Sequence, residues 1–258
     1  MKQLTAPIVS AVEVLPAVFL LWLEAPGISE AARPGQFVMV RCGQDTILPR
    51  PLSVHRVDGD RLALLFSVVG KGTQWLSELK KGDLLNLFGP LGNGFTVNAG
   101  ARNLLLVAGG MGITPLYFLA EAAAVQKKKV TLINGARTRD CLLPVSLPQD
   151  FYEKGLPPAG VNVVTATEDD TEGFKGLATQ LIPHYLESID QVFACGPATM
   201  YTSMAKMPEL KGRDVQLSLE IMMGCGVGVC YGCTIKTKKG LKQVCKDGPV
   251  FEMGELNI

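Results

Sequence analysis

The sequence predicts a multidomain β plus α/β protein: an N-terminal antiparallel β-barrel, a doubly wound parallel sheet, and a small cysteine-rich C-terminal unit. Three observations carry this reading. The first ~95 residues are short apolar runs separated by turn formers. From Asn103 onward, apolar runs alternate with helical stretches. Finally, four of the seven cysteines fall between positions 225 and 245. The implied boundaries are 1–97, 98–214 and 215–258.

In the first segment, Val12–Leu15, Phe37–Arg41, Leu62–Val68 and Leu84–Phe88 read as strands. Between them sit Ala25-Pro26-Gly27, Arg33-Pro34-Gly35, Asp58-Gly59-Asp60 and Lys81-Gly82-Asp83, all turn chemistry. Thr73–Lys80 has room for one or two helical turns. Short strands at near-regular spacing close into a small barrel or sandwich.

In the second segment, Leu104–Ala108 is a continuous apolar run, as a strand buried on both faces requires. A glycine turn follows, then a helix from about Pro115 to Gln126 and a strand at Val130–Asn134. Val161–Thr165 reads as a strand, Leu177–Leu186 as a helix, Gln191–Cys195 as a strand and Ala198–Ala205 as a helix. This alternation is the pattern of a parallel, doubly wound sheet. Leu104–Val125 is long enough to span a bilayer. Its middle, however, holds Gly109-Gly110-Met111-Gly112 and Pro115, which fits a buried strand, a turn and a buried helix instead.

Composition narrows the function classes. Of 258 residues, 47% are hydrophobic, enough for a substantial core. Lys and Arg total 25 against 24 Asp and Glu, so no global charge draws the chain to nucleic acid or an anionic membrane. The run Lys127-Lys128-Lys129 reads as a solvated helix end. No secretory signal is visible, and seven unevenly spaced cysteines do not make a disulfide framework. The expectation is a soluble, cytoplasmic protein with no nucleic-acid or membrane partner.

The tail reads Met223-Gly224-Cys225-Gly226-Val227-Gly228-Val229-Cys230-Tyr231-Gly232-Cys233, a C-x4-C-x2-C run. It is the first part of a plant-type [2Fe–2S] spacing. Three thiolates on nine residues must converge, so the chain has to wrap tightly. The glycines permit the needed dihedrals and let amides approach the sulfurs. Thr234–Thr237 and Leu241–Val244 flank Lys238-Lys239-Gly240 as a β-hairpin, which returns Cys245 to the side of Cys233. The expected cluster ligands are Cys225, Cys230, Cys233 and Cys245. Structural zinc and a Cys230/Cys233 dithiol are the competing readings. Zinc sites favour two C-x2-C knuckles, and a dithiol leaves Cys225 and Cys245 unused. Cys42 and Cys141 are expected to be ordinary semi-buried residues.

Arg50-Pro51-Leu52-Ser53 supplies a guanidinium able to clamp a pyrophosphate and a nearby hydroxyl. Gly70-Lys71-Gly72-Thr73 precedes a helix and offers amides to a phosphate. Each motif alone is common in loops. Their order, on a β-domain followed by an α/β domain, resembles the ferredoxin–NADP reductase family. That resemblance implies FAD bound through Arg50, Pro51, Leu52, Ser53, Leu65, Phe66, Ser67, Gly72 and Thr73. The family's pattern has a tyrosine where this chain has Leu52.

Leu104–Ala108 runs into Gly109-Gly110-Met111-Gly112-Ile113-Thr114-Pro115, a strand, glycine turn and helix suited to a pyrophosphate. The G-x-G-x-x-G fingerprint is not met, so a plain tight turn stays open. A later strand ends in Cys195-Gly196-Pro197, which the family resemblance puts at the nicotinamide end of the cofactor. The expected NAD contacts are Gly109, Gly110, Gly112, Ile113, Thr114, Pro115, Cys195, Gly196 and Pro197. Arg137 and Arg139 are either receptors for a 2′-phosphate or solvated loop charges.

The three units together narrow the resemblance. Ser218-Leu219-Glu220, the cysteine run, and Val244-Cys245-Lys246-Asp247-Gly248-Pro249-Val250-Phe251 are similar to the electron-transfer subunits of class 1B dihydroorotate dehydrogenase. Met222-Met223 departs from the more polar residue common there. This resemblance spans nearly the whole chain. It implies FAD, a [2Fe–2S] cluster and NAD, and a separate FMN-containing dihydroorotate dehydrogenase catalytic subunit in a two-plus-two heterotetramer. Electrons would pass from dihydroorotate through FMN, the cluster and FAD to NAD⁺ in pyrimidine (UMP) synthesis. No acid–base catalytic residue is expected, and His55 and His184 alone make no triad. Two alternatives stay open. One is a subunit of a ferredoxin:NADP oxidoreductase, sulfide dehydrogenase or hydrogenase complex; the other is a zinc-stabilised interaction module.

Overall fold

The computed structural model describes residues 1–44, 46–143 and 160–258. The chain divides into two compact units, residues 1–94 with 221–250 and residues 95–220 with 251–258.

The first unit opens with β1 (Lys2–Leu15), β2 (Val18–Glu24), β3 (Phe37–Val40), β4 (Arg50–Asp58) and β5 (Arg61–Ser67). Helix α1 (Lys71–Ser77) leads to β6 (Leu84–Leu91). Six strands, among the described residues, close a barrel in the order β1-β2-β5-β4-β3-β6. Long β1 makes closure possible. Its Lys2–Pro7 half pairs with β6 and its Ile8–Leu15 half with β2, with a register shift between Ile8 and Ser10. Closure leaves no open edge strand to template aggregation. Leu21, Leu23, Val38, Val54, Leu62 and Leu64 point inward and are fully buried. Buried Arg56 lies over the Trp22 ring, 5.9 Å from its centroid.

The sequence underestimated this barrel at its first strand. Only Val12–Leu15 stood out from β1, because the Lys2–Pro7 half alternates with exposed polar residues and contains Pro7. Arg50–Ser53 begins β4, with Arg50 opposite Val40 and Ser53 opposite Phe37.

The second unit contains β7 (Asn103–Gly109), α2 (Ile113–Val125), β8 (Lys129–Ala136), β9 (Val161–Thr167) and short β10 (Phe174–Lys175). After α3 (Ile182–Tyr185) come β11 (Gln191–Cys195), α4 (Ala198–Ala205) and β12 (Val215–Ser218). The chain then forms β13 (Thr234–Thr237), β14 (Gly240–Gln243) and the single turn α5 (Val244–Asp247), and rejoins the large sheet as β15 (Val250–Glu252). Among the described residues that sheet has seven strands in the order β10-β9-β8-β7-β11-β12-β15. The pairings from β10 to β12 are all parallel.

Helix α2 starts two residues before the expected Pro115, which sits in the first turn where its missing N–H costs nothing. The Leu177–Leu186 helix is instead a 3-10 turn at Ala178–Leu181, the short α3, and another 3-10 turn at Leu186–Ser188. Pro183 cannot donate to the carbonyl four residues earlier, so a regular helix cannot run through it. Two buried glutamines fix the segment entering the sheet. Gln216 Oε1 accepts from Thr96 N (2.9 Å), Gln191 Oε1 accepts from Asn98 N (3.0 Å), and both side-chain amides donate to Thr96 O. No helix among the described residues is long and apolar enough to cross a membrane.

Candidate functional site

At one end of the barrel the antiparallel β4/β5 ladder puts the start of β4 beside the end of β5, with Val54 opposite Leu64. Arg50–Ser53 and Leu65–Ser67 therefore share this end, and α1 follows β5 directly. Thr73 Oγ1 accepts from the Val69 amide (2.9 Å) and the Gly70 amide (3.2 Å), folding the turn back on itself. Arg50 lies across that turn: a Cβ on Gly72 would sit 2.8 Å from Arg50 Nε. Arg50 Nη1 also donates to Leu48 O at 2.8 Å. Leu65 and Phe66 are buried while Arg50–Ser53 are half-buried, leaving a cationic group over a glycine turn beside an apolar wall. A diphosphate-linked flavin fits these residues: one guanidinium for the anion, backbone and apolar surface for the ring. Nearby Cys42 is buried rather than semi-buried; burial pushes its thiol up to about 11 against the opposing pull of Arg50. Cys141 is exposed.

In the sheet, β7 and β11 are neighbours, yet the chain goes from β7 to one side and returns to β11 on the other. That is the topological switch point, where open α/β sheets bind ligands beyond the strands' carboxyl ends. Both expected nicotinamide motifs end there. Gly112 packs on the Cys195 carbonyl so closely that a Cβ would overlap it, and a Cβ on Gly109 would lie 2.9 Å from Pro197 Cδ. Ile113, Thr114 and Pro115 open α2 and are buried. The lack of side chains at Gly109, Gly112 and Gly196 lets the two turns pack against each other, while a Cβ on Gly110 (φ +53) would meet open space, so backbone near a helix N-terminus stays free for a dinucleotide. Arg139, after β8, is engaged by Glu172 at 3.3 Å.

Two side chains lie against Cys195, Glu220 of the Ser218-Leu219-Glu220 motif and Tyr201, which the sequence did not mark. Cys195 Sγ lies 3.8 Å from Glu220 Oε1, and the Tyr201 hydroxyl accepts from Gly196 N at 2.9 Å. Burial, reinforced by Glu220, pushes the Cys195 thiol far up, so it stays protonated. Burial likewise raises the Glu220 carboxyl, less effectively in solution because Glu220 is exposed at the rim. No spacing rule in the sequence singles out Tyr201.

The cysteine loop belongs to the barrel's unit. Gly226 (φ +74) and Gly228 (φ +81) take left-handed conformations that a side chain would strain. The amide of Val227 points at Cys225 Sγ and that of Cys245 at Cys233 Sγ, each at 3.4 Å. The β13–β14 hairpin returns the chain as expected, with Thr234 opposite Gln243, although Cys245 sits in α5 rather than at a strand end. The Cys225 thiol interacts with that of Cys230, and the Cys245 thiol with those of Cys233 and Cys225. Burial works against ionisation of Cys225, but the amides of Val227, Cys230 and Val229 bring its thiol down to about 6. Burial and the neighbouring Cys233 thiol push Cys245 up to about 12. Four thiols on one loop and hairpin with amides aimed at sulfur fit a [2Fe–2S] cluster.

Comparisons with known proteins agree with this geometry. The family model for the iron-sulfur cluster binding domain of dihydroorotate dehydrogenase B matches residues 220–257, and that for an oxidoreductase NAD-binding domain matches residues 106–206. A dihydroorotate dehydrogenase B (NAD(+)) electron transfer subunit from Desulforamulus reducens is 38% identical over 262 residues, covering 97% of this chain and 96% of that protein. The protein of the same description from Geobacillus sp. (strain WCH70) is 36% identical over 265 residues, 99% of each. A solved chain of an NADH-dependent reduced ferredoxin-NADP oxidoreductase superposes with a TM-score of 0.82 at 31% identity, over 98% of this chain and 89% of that one. A ferredoxin NADP+ reductase from Neisseria gonorrhoeae with bound FAD and NADP shares the fold, with a TM-score of 0.63 at 18% identity over 78% of this chain and 88% of that one. At this identity over nearly the whole of both chains, the protein belongs to the family of dihydroorotate dehydrogenase B (NAD(+)) electron transfer subunits.

Proposed function

We propose that this chain carries electrons from a dihydroorotate dehydrogenase catalytic subunit to NAD⁺ in pyrimidine synthesis, using FAD and a [2Fe–2S] cluster. The partner is an FMN-containing subunit, and the assembly is a cytoplasmic two-plus-two heterotetramer. When bound, the cofactors supply one-electron exchange at the cluster and hydride exchange between flavin and nicotinamide. The chain's own residues bind and orient. Arg50 and the Gly72–Thr73 turn hold the flavin diphosphate, with Pro51, Leu52, Ser53, Leu65, Phe66 and Ser67 along the ring side. Gly109–Pro115 and Cys195–Pro197 hold the dinucleotide. Cys225, Cys230, Cys233 and Cys245 hold the cluster.

One observation carries the relay. Met39 is the β3 partner of Pro51 in the flavin motif, and a Cβ on Gly226 would sit 2.6 Å from Met39 Cγ. One side chain therefore separates the cysteine loop from the strand that begins with Arg50. Such adjacency suits transfer between the two groups and has no use in a zinc-stabilised interaction module.

Purification of the complex from native cells, followed by assay of dihydroorotate-dependent NAD⁺ reduction, tests the reading. The expected result is an FMN-bearing partner and activity. A complex without that partner overturns the pyrimidine assignment. The 31% identity to the NADH-dependent ferredoxin-NADP oxidoreductase chain favours a second reading, in which this chain is a subunit of such an oxidoreductase complex.

A further inference from the structure

The parallel ladder between β11 and β12 ends in an unusual way. Val192 N donates to Asp214 O at 2.9 Å, and each further rung lies two residues along both strands. Two steps on, Gly196 N should donate to Ser218 O. Instead the Tyr201 hydroxyl stands between them, accepting from Gly196 N at 2.9 Å and donating to Ser218 O at 2.6 Å. Cys195 and Ser218 are the last register partners, both nearly inaccessible, and Tyr201 is only 4% exposed. One oxygen atom thus replaces a direct backbone bond and holds the two strand ends apart.

We propose that Tyr201 is a positioning residue that splays β11 from β12 and so fixes the Cys195-Gly196-Pro197 turn for the nicotinamide half of the dinucleotide. This rests on the NAD(H) site proposed above. At a switch point the pyrophosphate lies on the first glycine turn and the adenosine over the strand that follows it, here β8. The other nucleotide half therefore lies over β11 and β12, where Tyr201 acts. Without its hydroxyl, Gly196 N and Ser218 O close on each other or take up water, and the turn moves. Gly196 cannot absorb that movement freely, since a Cβ there would already lie 3.1 Å from Gly109 N.

The test is Tyr201→Phe in the assembled holoenzyme, which keeps the buried ring and removes the hydroxyl. The expected result is a KM for NADH raised about five- to tenfold, the worth of one buried hydrogen-bonded bridge. Inhibition by ADP-ribose, which lacks nicotinamide, should stay unchanged, as should the flavin and cluster spectra. Equal weakening of NADH and ADP-ribose, or no change in either, overturns the proposal. If the unaltered enzyme neither uses NADH nor responds to ADP-ribose, the underlying site assignment fails instead. Hydrogen exchange of the Gly196 amide in the unaltered enzyme gives an independent check. Slow exchange is expected, and exchange at the rate of an open turn overturns the bridge even if the variant does not fold.

Discussion

Gly112 rests directly on the carbonyl of Cys195, so two motifs more than eighty positions apart form one surface at the switch point. The atoms in the way are backbone, of Cys195 and Gly196, and cannot swing aside as a side chain would. Gly112→Ala should therefore push α2 from β11, at the overpacking cost of about 1–3 kcal/mol. The expected outcome is NADH-to-dye activity reduced at least about tenfold, a lowered melting temperature, and flavin and cluster absorption retained. Unchanged NADH kinetics would show that the turn does not face the dinucleotide.

How much of this was legible beforehand follows from the physics of each element. Leu104–Ala108 and Gln191–Cys195 were readable because a strand buried on both faces is apolar throughout. The cysteine spacing and its hairpin were readable because both are local. The first half of β1 was not, because its partner β6 lies some eighty residues away and its alternation is weak. The Leu177–Leu186 segment reads as one helix from its apolar content, and Pro183 breaks it into short turns. Tyr201 and the Gly112–Cys195 approach depend on atoms brought together only by sheet register, and neither leaves a pattern along the chain.

Arg50 should be irreplaceable by lysine. Its guanidinium is held across Gly72 while Nη1 donates to Leu48 O, a planar arrangement that an ammonium cannot copy. Arg50→Lys should weaken FAD binding about tenfold or more, read as flavin lost on gel filtration with iron and labile sulfide retained. Full flavin occupancy in the variant would remove Arg50 from the site.

Coenzyme preference should respond to Glu172. It pairs with Arg139 beyond β8, the strand proposed to carry the adenosine, and the neighbouring Glu168, Asp169 and Asp170 add negative charge. A 2′-phosphate approaching there meets a neutralised arginine. Glu172→Gln should lower the KM for NADPH about two- to fivefold, the range of one exposed ion pair, and leave NADH unaffected. Added salt should erase the difference. An identical NADPH response in both proteins would mean that Arg139 does not face the ribose.

Cys245 offers the sharpest division between the chain's parts. It reaches the cluster loop only because the β13–β14 hairpin brings it back, and its own amide already points at Cys233 Sγ. Cys245→Ser replaces a soft thiolate by a hydroxyl that binds iron poorly, while the turn and its amide remain. The cluster's visible absorption and labile sulfide should be lost or sharply reduced. The flavin site proposed at Arg50 and the Gly72–Thr73 turn is untouched, so FAD should stay and NADH-to-dye turnover should continue. Dihydroorotate-dependent NAD⁺ reduction by the complex should stop, because the proposed relay between the catalytic subunit and FAD runs through the cluster. Loss of FAD with an intact cluster would contradict this separation. Continued dihydroorotate-dependent turnover without a cluster would place the electron path elsewhere.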